Sequence, residues 1–175
     1  MLVTTNIKGI TNSFVKERIV KPLVIGSVIS LSITAFCQRY TIIPSSSSFP
    51  CISGSLFLLD RQDMNIQDGN LVTFLTKNAK LFPDDTHFTK LVVGSGGDTI
   101  VINRNEITNA GKTWNTDVTL SAQVLHVTLD SLSRTETIKP GHLFTIGTLP
   151  GSYDSRFWGQ VDIKKQVLGK TYVLI

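Results

Sequence analysis

The chain has 175 residues, and 17 lysines and arginines against 13 aspartates and glutamates give it a formal net charge of +4. This length predicts one folded domain with at most a short appendage. Charged residues make up only 17% of the sequence and hydrophobic residues 41%, which excludes a disordered chain and argues against a wholly soluble protein. The small, scattered positive charge does not indicate a nucleic-acid partner.

The first predicted element is an apolar segment at residues 19–37, in which Lys21 is the only charged residue. The uncharged run from Pro22 to Cys37 falls short of the ~20 residues that cross a bilayer. Ile19 and Val20 extend it to a marginal span if the Lys21 amine reaches the headgroups. We therefore predict a membrane anchor at residues 19–37.

The charges around this segment predict its orientation. Basic residues lie mainly on its N-terminal side, where Lys8, Lys16, Arg18 and Lys21 are found, and only Arg39 follows closely. The positive-inside rule then predicts a single-pass protein of the inner (cytoplasmic) membrane, with residues 1–18 in the cytoplasm and residues 38–175 outside it.

The apolar segment has two other interpretations. A cleaved signal peptide stays open as an alternative, because residues 35–37 loosely fit a cleavage site. A lipid anchor on Cys37 is disfavoured, because Phe36 occupies a position that should hold a small residue.

From residue 38 onward, short β-rich segments alternate with turn signals. Strands are predicted at residues 55–59, 70–76, 88–93, 98–103, 122–129, 143–146 and 171–175. Turns are predicted at residues 68–70, 94–98, 109–111 and 140–141. Only residues 163–168 predict a short helical turn. The pattern predicts a mostly β, barrel-like or sandwich domain at residues 38–175, preceded by one transmembrane helix.

Four consecutive serines occupy residues 45–48. A serine run is most simply a polar linker that leaves the membrane. Here Pro44 and Pro50 restrict the backbone on both sides, and Ile43 and Phe49 make the surroundings apolar. A rigid serine loop of this kind suits a nucleophile, which requires a base.

Lys90 is the stronger candidate for that base, because it is the single cation in the apolar strand at residues 88–94. Burial of an amine favours its neutral form, and a neutral lysine can take the proton of a serine hydroxyl. The alternative is a surface lysine on the polar face of an edge strand. A histidine is the other possible base, and the chain has three: His87, His126 and His142. His126 and His142 have no adjoining acidic partner and are interpreted as structural.

A third segment, residues 151–159, combines charges with aromatic residues. Asp154 and Arg156 flank one residue, so in an extended segment they point the same way and can pair. The aromatic side chains indicate a buried, structural loop: Tyr153, Phe157 and Trp158. No group of His, Cys, Asp or Glu has metal-ligand spacing, so neither a metal site nor a cofactor is predicted.

Together the three segments resemble the signal peptidase I family, which are membrane-anchored serine peptidases with a Ser/Lys dyad. Residues 44–50 match the family pattern P-S-x-S-x-x-P, and residues 90–98 match K-x-V-V-G-x-x-G-D. Residues 152–159 match S-x-D-S-R-x-W-G. The order of the motifs and the preceding apolar segment also agree, and the resemblance covers most of residues 20–175.

The resemblance implies peptide cleavage through an acyl-enzyme, with Ser47 as nucleophile and Lys90 as general base. It further implies an oxyanion hole made by the backbone N–H of Ser47 and the hydroxyl of Ser45. Ser152 would hydrogen-bond and orient the Lys90 amine. The implied partners are membrane lipid and a precursor polypeptide, either a signal-peptide precursor or a pilin.

The resemblance also implies that Asp154 and Arg156 form a supporting ion pair that does not touch substrate. One departure from the family pattern lies at residues 147–150, which stand where the family has Gly-Asp-Asn-Arg. With its short length, the chain looks more like the conjugative-transfer (TraF-type) peptidases that mature pilins.

In that subgroup the nucleophile often precedes proline as S-x-P, which would select Ser48. Ser48 itself stands where the family usually has methionine, and Cys51 where it usually has threonine. We prefer Ser47, because the Pro44-Ser45 match accompanies it.

Two alternatives of function remain open. A peptide amine in place of water could resolve the acyl-enzyme, which would give a cyclic product. The chain could also be a non-catalytic, membrane-tethered β-module of a secretion or pilus assembly.

Overall fold

The computed structural model describes residues 14–45 and 50–175. The chain divides into two compact units, Met1–Arg39 and Tyr40–Ile175. In the first unit, a π-helical turn at Lys16–Val20 leads into α1, Lys21–Arg39. The continuous helix Lys16–Arg39 has 24 residues, and about 1.5 Å of rise per residue makes it long enough to cross a bilayer.

The helix begins three residues before the predicted anchor, and several of its polar side chains have partners within the helix. Lys21 Nζ lies 2.7 Å from a carboxylate oxygen of Glu17, four residues earlier. The hydroxyls of three residues donate to the carbonyl four residues before them, at 2.8–2.9 Å: Ser27, Ser32 and Thr34. Such back-bonding provides partners for hydroxyl groups where water is absent.

The second unit is built mainly from short strands. Within the described residues they are β1 Tyr40–Pro44, β2 Leu56–Asp60, β3 Leu71–Leu75, β4 His87–Ser95, β5 Thr99–Asn103, β6 Glu106–Asn109, β7 Lys112–Asn115, β8 Arg134–Thr137, β9 His142–Ile146, β10 Val161–Asp162 and β11 Val167–Val173. The helices of this unit are α2 Thr119–Val124, α3 Leu129–Leu132, α4 Ser155–Trp158 and α5 Ile163–Gln166. The predicted mostly β architecture with one N-terminal apolar helix is confirmed.

The strands form two sheets. Seven of the described strands form the larger sheet in the order β1-β2-β11-β3-β4-β9-β10. The smaller sheet, in the order β7-β6-β5-β8, is an excursion of the chain between β4 and β9. This arrangement leaves β4 near the middle of the larger sheet, paired with β3 on one side and with β9 on the other.

Two apolar cores cover opposite faces of β4. Side chains alternate along β5, so that Ile100 and Ile102 are buried and the residue between them is exposed. Through the two buried residues the smaller sheet packs on Val93 and its neighbours in the first core. The second core contains Val92 of β4 together with buried residues of β3, β9 and β10. A side chain in the middle of β4 is therefore covered on either face, unlike one in a strand at the edge of a sheet.

One predicted strand, residues 122–129, is wrong. The alternating apolar residues in this segment belong to the end of α2, a turn and the start of α3. His126 adopts a positive φ of 54°, and Thr128 accepts a hydrogen bond from the Ser131 N–H and caps α3. Contacts with the rest of the chain bury Ala122 and override the local alternation.

The predicted glycine-rich turn at residues 94–98 joins the two sheets. A Cβ at Gly94 would lie 2.7 Å from Ile138 Cδ1, so the backbone approach requires glycine. Asp98 Oδ2 accepts hydrogen bonds from the Ser95 N–H at 2.8 Å and from Asn109 Nδ2 at 3.1 Å. These residues of the K-x-V-V-G-x-x-G-D motif therefore serve the fold, and these contacts leave the lysine of the motif unexplained.

The Asn109 amide also donates to Asp68 Oδ2, at 3.3 Å. Burial raises the pKa of Asp68 and the charge of Asp98 raises it further, while Lys112 opposes both. A carboxyl with a raised pKa stabilises the fold below its ordinary value of 3.8, and this contribution is lost as the pH rises through the folded pKa. We therefore expect Asp68→Asn to raise the Tm at neutral pH, with a difference from wild type that shrinks toward pH 3.

Asp63 is the matched control for this measurement. The Tyr172 hydroxyl donates to Asp63 Oδ2 at 2.6 Å, and this bond is the main cause of a lowered Asp63 pKa. Its stabilising contribution is present at neutral pH and is lost on acidification. Asp63→Asn should therefore lower the Tm at neutral pH. Thermal melts between pH 3 and pH 8 that gave both variants the same sign would contradict the assignment.

Candidate active site

The Lys90 side chain is buried in the interior of the domain. Lys90 is 1% exposed and pairs with Val72 of β3. Strand alternation places it on the same face as Phe88 and Val92, and Nζ lies 5.3 Å from the centre of the Phe88 ring. The alternative of a surface lysine on an edge strand is thus wrong.

The Lys90 amine has no hydrogen-bond partner among the described residues. A buried polar group in this state is costly, because it has given up its water without a replacement. Buried amines are nearly always paired, so an exception calls for an explanation in chemistry or in a further partner.

Lys90 lies in the wall of a groove of about 590 Å³. The described groove lining is mostly apolar. It comes from β1, the residues between the serines and β2, β2, the segment before β4, β4 itself, α2 and residues 151–159, the late segment. The lining residues are Ile43, Pro44, Ser45, Pro50, Cys51, Ile52, Phe57, Leu81, Phe82, Thr86, His87, Phe88, Thr89, Lys90, Leu120, Ser121, Val124, Gly151 and Tyr153. Among these residues, Lys90 is the only Lys, Arg, Asp or Glu. The groove is therefore suited to an apolar, extended ligand.

The segment that contains the four serines, residues 44–51 (the serine segment), opens on this groove at both of its ends. The Ser45 N–H donates to the Ser55 carbonyl at 3.0 Å, and the Cys51 carbonyl accepts from the Thr148 N–H at 2.8 Å. Ser47 and Ser48, the preferred and alternative nucleophiles, lie outside the described residues. The described positions on either side of them, Ser45 and Pro50, line the same groove as Lys90.

Ser152 is 1% exposed and follows directly on Gly151, which lines the groove. Its hydroxyl donates to the Leu149 carbonyl. The expected hydrogen bond between Ser152 and the Lys90 amine is not formed in this structure, since Nζ has no partner among the described residues. In the turn that precedes α4, the Ser152 hydroxyl hydrogen is already committed to the Leu149 carbonyl.

Asp154 and Arg156 form a buried ion pair, with Arg156 Nη2 to Asp154 Oδ2 at 2.6 Å and Arg156 Nε to Asp154 Oδ1 at 2.9 Å. The sequence interpretation assumed an extended segment here, but the structure has the helix α4 from Ser155 to Trp158. Asp154 caps the N-terminus of α4 by accepting from the Arg156 N–H, so the pair forms within the first helical turn. Bidentate pairing of this kind fixes orientation as well as charge.

The same arginine fastens the late segment to the loops of the smaller sheet. Arg156 Nη1 donates to the carbonyls of Asn105 at 3.1 Å and Thr116 at 2.9 Å. Asp154 Oδ2 accepts from the Gly147 N–H at 3.2 Å. Because both side chains are buried and saturated with protein partners, they act as a brace and have no contact with the groove.

Aromatic packing completes this brace, as the sequence predicted. Tyr153 lies 4.5 Å from Trp158 and 5.4 Å from Phe157, measured between ring centroids. Its other neighbour is Phe82, which lines the groove, at 6.0 Å. Burial raises the pKa of the Tyr153 phenol, which keeps it protonated.

The three histidines are placed differently. His142 Nδ1 lies 3.1 Å from the Pro140 carbonyl, and His126 occupies the turn after α2, in line with structural roles. His87 is an exposed residue at the start of β4 and lines the groove, a position that the sequence did not predict.

Gly147 is a residue of the site that sequence reasoning missed. A Cβ at this position would overlap the Ser152 side chain and lie 3.0 Å from the Cys51 carbonyl. Gly147 therefore lets Ser152 and the end of the serine segment come together. The only available signal was a glycine directly after the predicted strand at residues 143–146.

We expect Gly147→Ala to lower the free energy of unfolding by about 1–3 kcal/mol, as overpacking of a core usually does. Activity should fall as well, because the alanine displaces Ser152 or Cys51. Thermal melts and cleavage rates of the purified variant measure both effects. Adding Ser152→Gly to Gly147→Ala should recover part of the Tm, and no recovery would mean that the strain lies elsewhere.

The fold and the site together define a class: a β-rich domain with a buried lysine in a substrate-sized groove, preceded by a helix able to anchor it in a membrane. The chain matches the family model described as signal peptidase, peptidase S26, over residues 16–175. It therefore belongs to the signal peptidase family, whose members are serine peptidases that cleave precursor polypeptides.

Among solved structures, the chain is similar to a crystal structure of a signal peptidase I from Enterococcus faecalis V583. The two share 20% identity with a TM-score of 0.42, over 65% of this chain and 100% of that chain. No curated protein matches the chain.

Proposed function

We propose that the protein is a membrane-anchored endopeptidase that uses a Ser/Lys dyad, with Ser47 as nucleophile and Lys90 as general base. The observation that carries the proposal is the buried Lys90 amine, which has no hydrogen-bond partner among the described residues. A buried ionisable group in a cleft is a candidate active-site residue. The groove supplies the second half of the argument, because Lys90 shares it with Ser45 and Pro50.

In this mechanism the neutral Lys90 amine takes the proton of the Ser47 hydroxyl while Oγ attacks the scissile carbonyl carbon. The negative charge on the carbonyl oxygen is stabilised by the Ser47 N–H and the Ser45 hydroxyl. Collapse breaks the C–N bond, and the ammonium group returns its proton to the leaving amine. A water molecule, deprotonated by Lys90, then hydrolyses the ester and frees Ser47.

Ser152 has the role of a positioning residue in this proposal. Its hydroxyl hydrogen is committed to the Leu149 carbonyl, so its oxygen can only accept a further hydrogen bond. An oxygen that accepts from an amine N–H leaves the nitrogen lone pair free to point at the serine. Ser152→Ala should therefore slow cleavage while leaving the groove intact.

We further propose that the catalytic domain, residues 38–175, lies outside the cytoplasm, and that residues 1–18 lie inside it. The positive charges of Lys16, Arg18 and Lys21 at the start of the helix support this orientation. A reporter fused after Ile175 is expected to be active only if it functions outside the cytoplasm. Activity of a cytoplasm-specific reporter at the same site would reverse the topology.

The proposed substrate is an exported precursor, either a protein with a signal peptide or a pilin subunit. Residues 147–150, which depart from the family pattern, support the pilin-maturation (TraF-type) subgroup. The test is mass spectrometry of a candidate pilin precursor, co-expressed with the wild-type chain or with Lys90→Ala as control. Cleavage in the wild-type sample alone supports the proposal, and a product lighter by one water would indicate a cyclic pilin. Identical precursor masses in both samples would favour a non-catalytic β-module.

A further inference from the structure

The short helix α2 presents two large apolar side chains to solvent at the groove. Leu120 is 57% exposed and Val124 is 54% exposed. Their spacing of four residues places them on one face of the helix, and both line the groove that contains Lys90. Two exposed apolar side chains that continue an apolar groove indicate a surface that a ligand covers.

The buried side of α2 is fastened to the late segment. Ser121 and Ala122 are 5% and 2% exposed, and the Ser121 hydroxyl donates to the Gly151 carbonyl at 2.8 Å. The Gly151 N–H donates in turn to the Asp117 carbonyl at 2.8 Å. The two apolar side chains are thus carried on an element that is anchored beside Ser152, as a binding wall requires.

We infer that Leu120 and Val124 form a specificity-determining wall, which binds a large apolar side chain of the precursor polypeptide. This inference rests on the proposed function of the groove. The occupant is a polypeptide because the signal peptidase family cleaves precursor polypeptides and because the wall is continuous with the groove of Lys90. The side chain bound at this subsite is apolar because Leu120 and Val124 offer it no hydrogen bond, and the described groove lining contains no acidic residue and only two basic ones, Lys90 and His87. A charged substrate side chain packed on Leu120 and Val124 would lose its water without a partner.

The test compares Leu120→Ala/Val124→Ala with the wild type, as full-length chains in detergent. The probe is a library of peptides of mixed sequence, and mass spectrometry of the products gives the preference at each position around the cleaved bond. We expect the wild type to favour Leu, Ile, Val or Phe at one position. The double variant should lose that preference by about tenfold, the usual discrimination of one apolar pocket, with unchanged preferences elsewhere.

Val127→Ala is the matched control. Val127 is also an exposed apolar residue, at 38%, and lies just after α2, but it does not line the groove. Equal preferences in the double variant and the wild type, or the same loss in Val127→Ala, would overturn the wall. Absence of any cleavage by the wild type would overturn the proposed function and this inference with it, whereas cleavage without a wall effect would leave the proposed function standing.

Discussion

Replacement of Lys90 by arginine is expected to abolish cleavage as completely as replacement by alanine, a loss of at least about 10²–10⁴-fold in kcat/KM. The guanidinium group stays protonated and cannot accept the serine proton. Because only the neutral form of the lysine amine can accept a proton, the wild-type rate should also rise with pH. Cleavage assays with the full-length chain over a range of pH values measure both effects.

Lys90→Met separates catalysis from folding. Methionine keeps the length of the side chain and removes an amine that is buried without a partner among the described residues. Replacing such a group with an apolar one is often neutral or stabilising, so we expect an inactive protein with an unchanged or higher Tm. Lys164→Met, a change at an exposed lysine, is the control and should leave the rate unchanged. If Lys90→Arg retained most of the wild-type rate, the lysine would be structural and the dyad would be wrong.

Replacement of Ser47 by alanine is expected to abolish processing, while Ser48→Ala leaves substantial activity. The expectation rests on the register P-S-x-S-x-x-P, in which Pro44 and Ser45 align together with Ser47. The same register assigns an oxyanion donor to Ser45, so Ser45→Ala should lower kcat by about 10²–10³-fold. Mass spectrometry of the enzyme after rapid quenching should show an acyl adduct on the wild type and none on Ser47→Ala.

Ser48→Ala is the internal control for these measurements, because it removes a neighbouring hydroxyl in the same segment. The opposite result, an inactive Ser48→Ala and an active Ser47→Ala, would move the nucleophile to Ser48. The S-x-P register of the pilin-maturation subgroup would then describe this chain, and the oxyanion role of Ser45 would have to be reassigned.

The motifs of the proposed site were readable from the sequence, because they depend on residues that are close together in the chain. The lone cation of an apolar strand predicted the burial of Lys90, and the spacing of Asp154 and Arg156 predicted their ion pair. Turn residues were equally local signals. In the hairpin between β6 and β7, for example, Ala110 and Gly111 both adopt a positive φ, and residues 109–111 had been predicted as a turn.

The sequence alone thus determined the apolar span of the first helix, the mostly β character of the rest and the position of Lys90 within an apolar strand. Only the tertiary structure decided which surfaces meet at the site. The alternation at residues 122–129 indicated a strand, yet distant contacts made it helical and placed Leu120 and Val124 on the groove. Gly147 became important only through its contact with Ser152, and Arg156 through carbonyls on the smaller sheet. The physical reason is that burial and hydrogen-bond partners are set by residues far apart in the chain, whose approach no local pattern records.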